Sequence, residues 1–204
     1  MKTMLTAILL VLSHAALAND AEILASCPPQ GDAKQAAARA LNPLKRRMAE
    51  PRAAQIDPRV TLAAILAPGD DTDRWDTRRA AVIEGYVADV KVGGIESVNC
   101  HTRDAAYRDT HIEITAEPLK RDEGTYVIVE VTPQVRQEKA REGTDWSTGT
   151  LRKTLLGQRV RITGWLLFDV EHKPNATNTA SPDAHIWRAT VWEIHPVTGI
   201  EILH

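Results

Sequence analysis

Residues Leu155 to Leu166 read LLGQRVRITGWL. Two leucines are followed by a glycine, and then apolar and polar residues alternate. Val160, Ile162, Leu166 and Phe168 fall on one side of the alternation, and Arg161, Thr163 and Trp165 on the other. That period of two marks a strand with one buried face. Gly157 stands at the hand-over, where a residue without a Cβ lets a helix end and the chain turn. Thr148 to Leu156 therefore reads as a short helix and Arg159 to Asp169 as a strand.

Moving outward, the same period recurs. Upstream, Ala81 to Val90 reads as a first strand, with Gly85 at a bend. Thr110 to Ala116 is a second strand, with Ile112 and Ile114 on one face and His111, Glu113 and Thr115 on the other. Thr125 to Val131 is a third, with Val127, Val129 and Val131 opposed to Tyr126, Ile128 and Glu130. Downstream, Ile186 to His195 is a fifth, stopped by Pro196. Before the strands the chain is Ala-rich and helical. Asp32 suits the cap of a helix running to Glu50 with a kink at Pro43, and Asp57-Pro58 opens a second helix, Arg59 to Leu66.

Three strands, a helical connection and two strands resemble the OB-fold, a five-stranded Greek-key barrel. The segment Leu155–Leu166 looks like the helix-glycine-strand passage into the fourth strand of many such domains. The resemblance spans Arg79 to His204, and a small β-sandwich is the alternative. The chain is also similar to uncharacterised secreted bacterial OB-type proteins ending in a Trp-Glu-Ile-His-Pro-Val-Thr stretch, here Trp192 to Thr198. That likeness implies no activity. The fold class expected is mainly β: a signal peptide over 1–18, a helical region over 19–78 and an OB-type barrel over 79–204.

The export reading rests on three parts. Lys2 supplies a positive start, Met4 to Leu12 an apolar run, and Ala16-Leu17-Ala18 small residues before a cut. The run is shorter than the roughly 20 residues that span a bilayer, and no later stretch approaches that length. A periplasmic or secreted location follows. There the two remaining cysteines, Cys27 and Cys100, would pair. Leu24-Ala25-Ser26-Cys27 also fits a bacterial lipoprotein acylated at Cys27, which would leave Cys100 free. With 25 basic and 27 acidic residues the formal charge is −2, and losing Lys2 makes it more negative. A general polyanion binder needs the opposite balance, so nucleic acid is disfavoured as a partner.

OB domains bind ligands on the face of strands two and three, between the loops joining strands one to two and four to five. Here those loops are Gly93–Arg108 and Glu171–Ala184. Asp109, His111 and Glu113 alternate on one strand face, about 7 Å apart in succession. Asp169 and His172 leave strand four at the same end, where His185 enters strand five. Asp109, His111, His172 and His185 are thus candidate ligands for zinc or another divalent ion with an open position. Glu113, Tyr126 and Trp165 are candidate ligand-face residues, and Trp187 and Trp192 further stacking surfaces. His195 falls at the opposite end, in a structural hydrogen bond.

No HExxH, paired CxxC or GxSxG occurs. Asp70, Asp71 and Asp73 lack the Gly and Glu of an EF-hand loop and read as a solvated turn. Arg108-Asp109-Thr110 is only a fragment of a staphylococcal-nuclease-like carboxylate segment. Asn175-Ala176-Thr177 is a glycosylation sequon, meaningful only in a eukaryotic source. Three functions follow in order. The first is a binding module for a protein, peptide or polysaccharide. The second is a metal-dependent hydrolase at the same barrel end, and the third a nucleic-acid-binding OB domain.

Overall fold

The computed structural model describes residues 19–120, 122–180 and 184–204. Residues 1–18, with the signal-peptide reading, lie outside the described residues. The turn at Leu155–Leu166 forms as its pattern requires. Helix α5 (Thr148–Leu155), capped by Ser147, ends at Gly157, whose φ of 76° is left-handed. Strand β4 (Arg159–Phe168) follows. Leu151 and Leu155 of α5 sit with Val160, Ile162 and Leu166 in the main apolar cluster.

Strands β1 (Ala80–Val92), β2 (Thr110–Thr115), β3 (Val127–Val131) and β5 (Trp192–Ile202) complete the sheet. The order β1-β2-β3-β5-β4 closes on itself, an OB-type barrel and not a sandwich. All contacts are antiparallel except β3 with β5, which share one parallel ladder pair, Val129 with Ile194. Ile112, Ile114, Val127, Val129, Val131, Trp192 and Ile194 fill the interior. At about 25 cal/mol per Å² of apolar surface, this burial is the main favourable term in folding.

Strand β5 differs from its expected span. It begins six residues later than Ile186 and runs through Pro196, which follows a cis peptide bond. Its ladder with β4 shifts register at Gly164, so the missing proline N–H falls at an irregularity and breaks no regular pair. Gly164 permits the approach, since a Cβ there would lie 2.4 Å from the Pro196 carbonyl oxygen. Gly85 acts likewise. A Cβ on it would strike Ile114 and Leu62, whereas the β1 irregularity lies later, between Val87 and Asp89.

The helices before the sheet are shorter than expected. Helix α1 (Asp20–Ser26) is capped by Asn19, and α2 (Ala36–Lys45) starts after Gln35, with Asp32 engaged instead by His101 Nδ1 at 2.8 Å. Helix α3 (Leu62–Leu66) is capped by Thr61, because Asp57 is occupied by Arg59. Helix α4 (Pro133–Arg141), unforeseen, follows β3 on a Thr132 cap with proline in its first turn.

Cys27 and Cys100 form a disulfide, which leaves Cys27 no thiol to acylate. It ties the N-terminal arm to the β1–β2 loop. The arm also lies along β4: Arg47 donates to the Leu166 carbonyl (2.8 Å), and Trp165 Nε1 donates to that of Ala49 (2.8 Å). Among the described residues no helix is long and apolar enough to cross a membrane.

Candidate functional site: an ionic layer beneath a cleft

Because Ile112, Val129 and Ile194 point inward, their neighbours point outward. Asp109, His111 and Glu113 (β2 and the residue before it), Glu130 (β3), and Glu193 and His195 (β5) form one layer on the barrel's outer face. Such a face is ordinarily solvated. Here every one of these side chains is buried. The covering groups are α2, the β1–β2 loop and the β4–β5 connection, which contribute Lys45, Glu96, Asn99, Asp169 and Arg188.

A buried charge must be paired, and the pairs are explicit. Arg188 is fully buried, with Nη2 2.7 Å from Glu193 and Nη1 3.7 Å from Asp169. Lys45 Nζ donates to Glu96 at 2.7 Å. His195 lies 3.3 Å from Asp109 through Nε2 and 3.3 Å from Glu193 through Nδ1. Burial alone would discharge this ring. Its contacts with Asp109 and Glu193 and the charge of Glu130 prevail, pushing it up to about 10. Burial opposes the Glu193 carboxylate too, but Arg188, His195 and Lys45 hold it well below the usual range. For Glu96, burial prevails over Lys45, with Glu130 and Asp109 adding repulsion, and raises it to about 7.

Above this layer opens a cleft of about 960 Å³, lined by Glu96, His111, Glu130, His172, Trp187 and Glu193 among others. Two of its imidazoles are oriented by carboxylates. His111 Nδ1 lies 3.0 Å from Glu130 Oε1, and His172 Nδ1 lies 2.5 Å from Asp169 Oδ2. Burial opposes protonation of His172, yet Asp169 raises it above the ordinary histidine value. Both rings pack on Trp187, at centroid distances of 5.8 and 5.1 Å.

The four candidate metal ligands divide between separate places. His111 and His172 line the cleft against Trp187. Asp109 lies beneath, with His195. His185 is exposed, and its backbone carbonyl accepts from Asn175. Among the described residues, the trios whose ligand atoms lie within 4.8 Å of one another are Asp109–Glu130–His195 and Asp169–His172–Glu193. His195 is therefore not at the far end of the barrel. With β5 starting at Trp192, it stands near the strand's beginning, under the β4–β5 connection.

The ligand-face candidates are covered as well. Glu113 is paired with Lys91, Tyr126 is buried with its carbonyl accepting from Ala189, and Trp165 lies under Arg47 and Ala49. Trp192 belongs to the core. Glu130, Glu193 and His195 were not expected in the site, His195 being read as a structural residue at the far end, although their pattern offered a signal. Each is a charged or titratable residue in an otherwise apolar strand, VIVEV or VWEIHPV.

No protein family matches the chain, and no curated protein does. Among solved structures it is similar to the asparaginyl-tRNA synthetase of Entamoeba histolytica, at 12% identity and a TM-score of 0.30. The match covers 68% of this chain and 23% of that one. The chain thus spans less than a quarter of that enzyme's length, and at this level the likeness bears on neither substrate nor partner.

Proposed function

We propose that the protein is an exported binding module that receives part of a peptide, protein or polysaccharide partner in the cleft above the ionic layer. The observation that carries this is the cleft's construction. Its floor is a set of mutually paired buried charges, and its walls are the β1–β2 loop, the β4–β5 connection and the start of α2. Such a floor is preorganised and does not need to reorder on binding. Ser97, the cleft's hydroxyl, accepts a hydrogen bond from Asn42. Glu96, Glu130, Glu171, Glu193 and Asp32 outnumber Lys34 and Lys91 along the lining. Basic or hydroxyl-rich partners suit it better than phosphate chains.

The test is a binding screen of tag-free protein against lysine- and arginine-containing peptides, neutral oligosaccharides and a single-stranded oligonucleotide. Trp187→Ala and Glu171→Lys variants run in parallel. A peptide or sugar should bind with an affinity that both substitutions weaken at least tenfold. Oligonucleotide binding with a steep salt dependence, or partner binding indifferent to both substitutions, would overturn the reading.

A second reading, hydrolysis in the same cleft, is favoured by the two carboxylate-oriented imidazoles, an arrangement that suits general acid–base work. It requires turnover of ester or phosphodiester substrates that His172→Ala abolishes.

A further inference from the structure

Ion pairing leaves the trio Asp109, Glu130 and His195 with unused hydrogen-bonding capacity. Each side chain uses one polar atom on an orienting neighbour and keeps a second atom buried without a hydrogen-bond partner. Asp109 Oδ1 accepts from Asn99 Nδ2 at 2.9 Å, and Oδ2 accepts no hydrogen bond, having only the ion-pair contact with His195 at 3.3 Å. Glu130 Oε1 is engaged by His111 Nδ1 at 3.0 Å, and Oε2 accepts no hydrogen bond, lying 3.6 Å from His195 Nδ1. His195 Nδ1 is engaged by Glu193 Oε2 at 3.3 Å, and Nε2 makes no hydrogen bond, only the ion-pair contact with Asp109. All three side chains are more than nine-tenths buried. Their ligand atoms come within 4.8 Å of one another, and Nε2 of His195 lies 3.3 Å from Asp109 Oδ2.

We propose that these three side chains bind a divalent transition-metal ion, zinc or manganese, beneath the cleft floor. Two carboxylate oxygens and one imidazole nitrogen are a donor set those ions accept. A separation near 3.3 Å is what two ligands on bonds of about 2.0–2.1 Å take up at a tetrahedral ion. The Asn99, His111 and Glu193 contacts are of the kind that orient metal ligands from behind. A carboxylate accepting from one imidazole nitrogen leaves the other nitrogen's lone pair free for the ion. An imidazolium at His195 would balance charge through its 3.3 Å contact with Asp109, but it gives none of the three buried atoms a well-directed hydrogen bond. Glu130 is the trio's member in the cleft lining, so an ion arrives from that side. The second trio, Asp169, His172 and Glu193, already has the Arg188 guanidinium between its carboxylates. The inference does not rest on what the cleft binds.

Full-length mature protein purified without a His-tag, stripped with chelator and shown folded by circular dichroism, is titrated calorimetrically with zinc and with manganese. Thermal melting is followed in parallel. The expected result is saturable uptake of one ion per chain with a rise in melting temperature. Glu130→Gln should weaken uptake at least tenfold, while His172→Ala leaves it unchanged. His195→Gln should abolish it, and if that variant fails to fold, Glu130→Gln and the wild-type titration decide. Folded, stripped wild-type protein that takes up neither ion would overturn the proposal. So would uptake lost in His172→Ala and kept in Glu130→Gln.

Discussion

Arg188 shows how much one side chain can hold. Its guanidinium serves Glu193 and Asp169 at once, and its Nε donates to the Thr190 carbonyl at 2.8 Å. Replacing it by methionine keeps much of the volume but leaves two carboxylates buried without their cation. Breaking a buried pair from one side costs about 3–5 kcal/mol, so Arg188→Met should lower the urea midpoint by a corresponding amount. A matched Arg188→Met/Glu193→Gln double variant should recover part of the loss. Glu96 supplies a pH dependence of definite sign. Its folded-state value of about 7 lies above the ordinary 4.5. Its contribution is present in full below 4.5 and is lost as pH rises through 7. Unfolding free energy should therefore fall between those limits, and Glu96→Gln should flatten the slope. A slope unchanged in the variant would assign the dependence elsewhere.

Among the elements, the β4–β5 connection and the segment that braces it depart furthest from their sequence pattern. Asp71, expected in a solvated turn, is completely buried. Its Oδ2 accepts from Thr190 Oγ1 (2.7 Å) and Val191 N (2.9 Å), and its Oδ1 from Arg74 (2.9 Å) and Asn178 (3.0 Å). Asp71→Ala strands these buried donors, each worth about 1–3 kcal/mol. It should cost at least about 3 kcal/mol in denaturant unfolding and loosen the connection that carries Arg188 and Trp187. Strands β1 to β4 were legible because alternation is a local property of the chain. The start of β5 was not, because Trp187, Ala189 and Val191 alternate as a strand would while their backbone binds Asn175, Tyr126 and Asp169. The site was legible only in part, for the same reason. His111 could be placed by its strand, but Lys45, Glu96 and Arg188 reach the layer from segments whose paths no local pattern encodes. The burial of Trp165 likewise depends on the arm crossing β4, a long-range contact that periodicity cannot report.

At the scale of the whole molecule, two features join distant parts of the chain. The disulfide closes a separation of 73 residues, for which the chain-entropy account gives on the order of 4 kcal/mol. A Cys27→Ser/Cys100→Ser double variant should lose up to that much stability by chemical denaturation, with the barrel's circular dichroism retained at low denaturant. The second feature is the junction of β3 with β5. The other four strand contacts are long antiparallel ladders, whereas this one rests on Val129 and Ile194 alone. Glu130 stands next to the first, and Glu193 and His195 flank the second, so the ionic layer lies across the seam like a clasp. A closed barrel must breathe where its lacing is thinnest. Amide hydrogens bonded across the β3–β5 seam should therefore exchange with deuterium sooner than those of the β1–β4 ladder. Whatever occupies the layer should slow that exchange at the seam before it alters any other part of the protein.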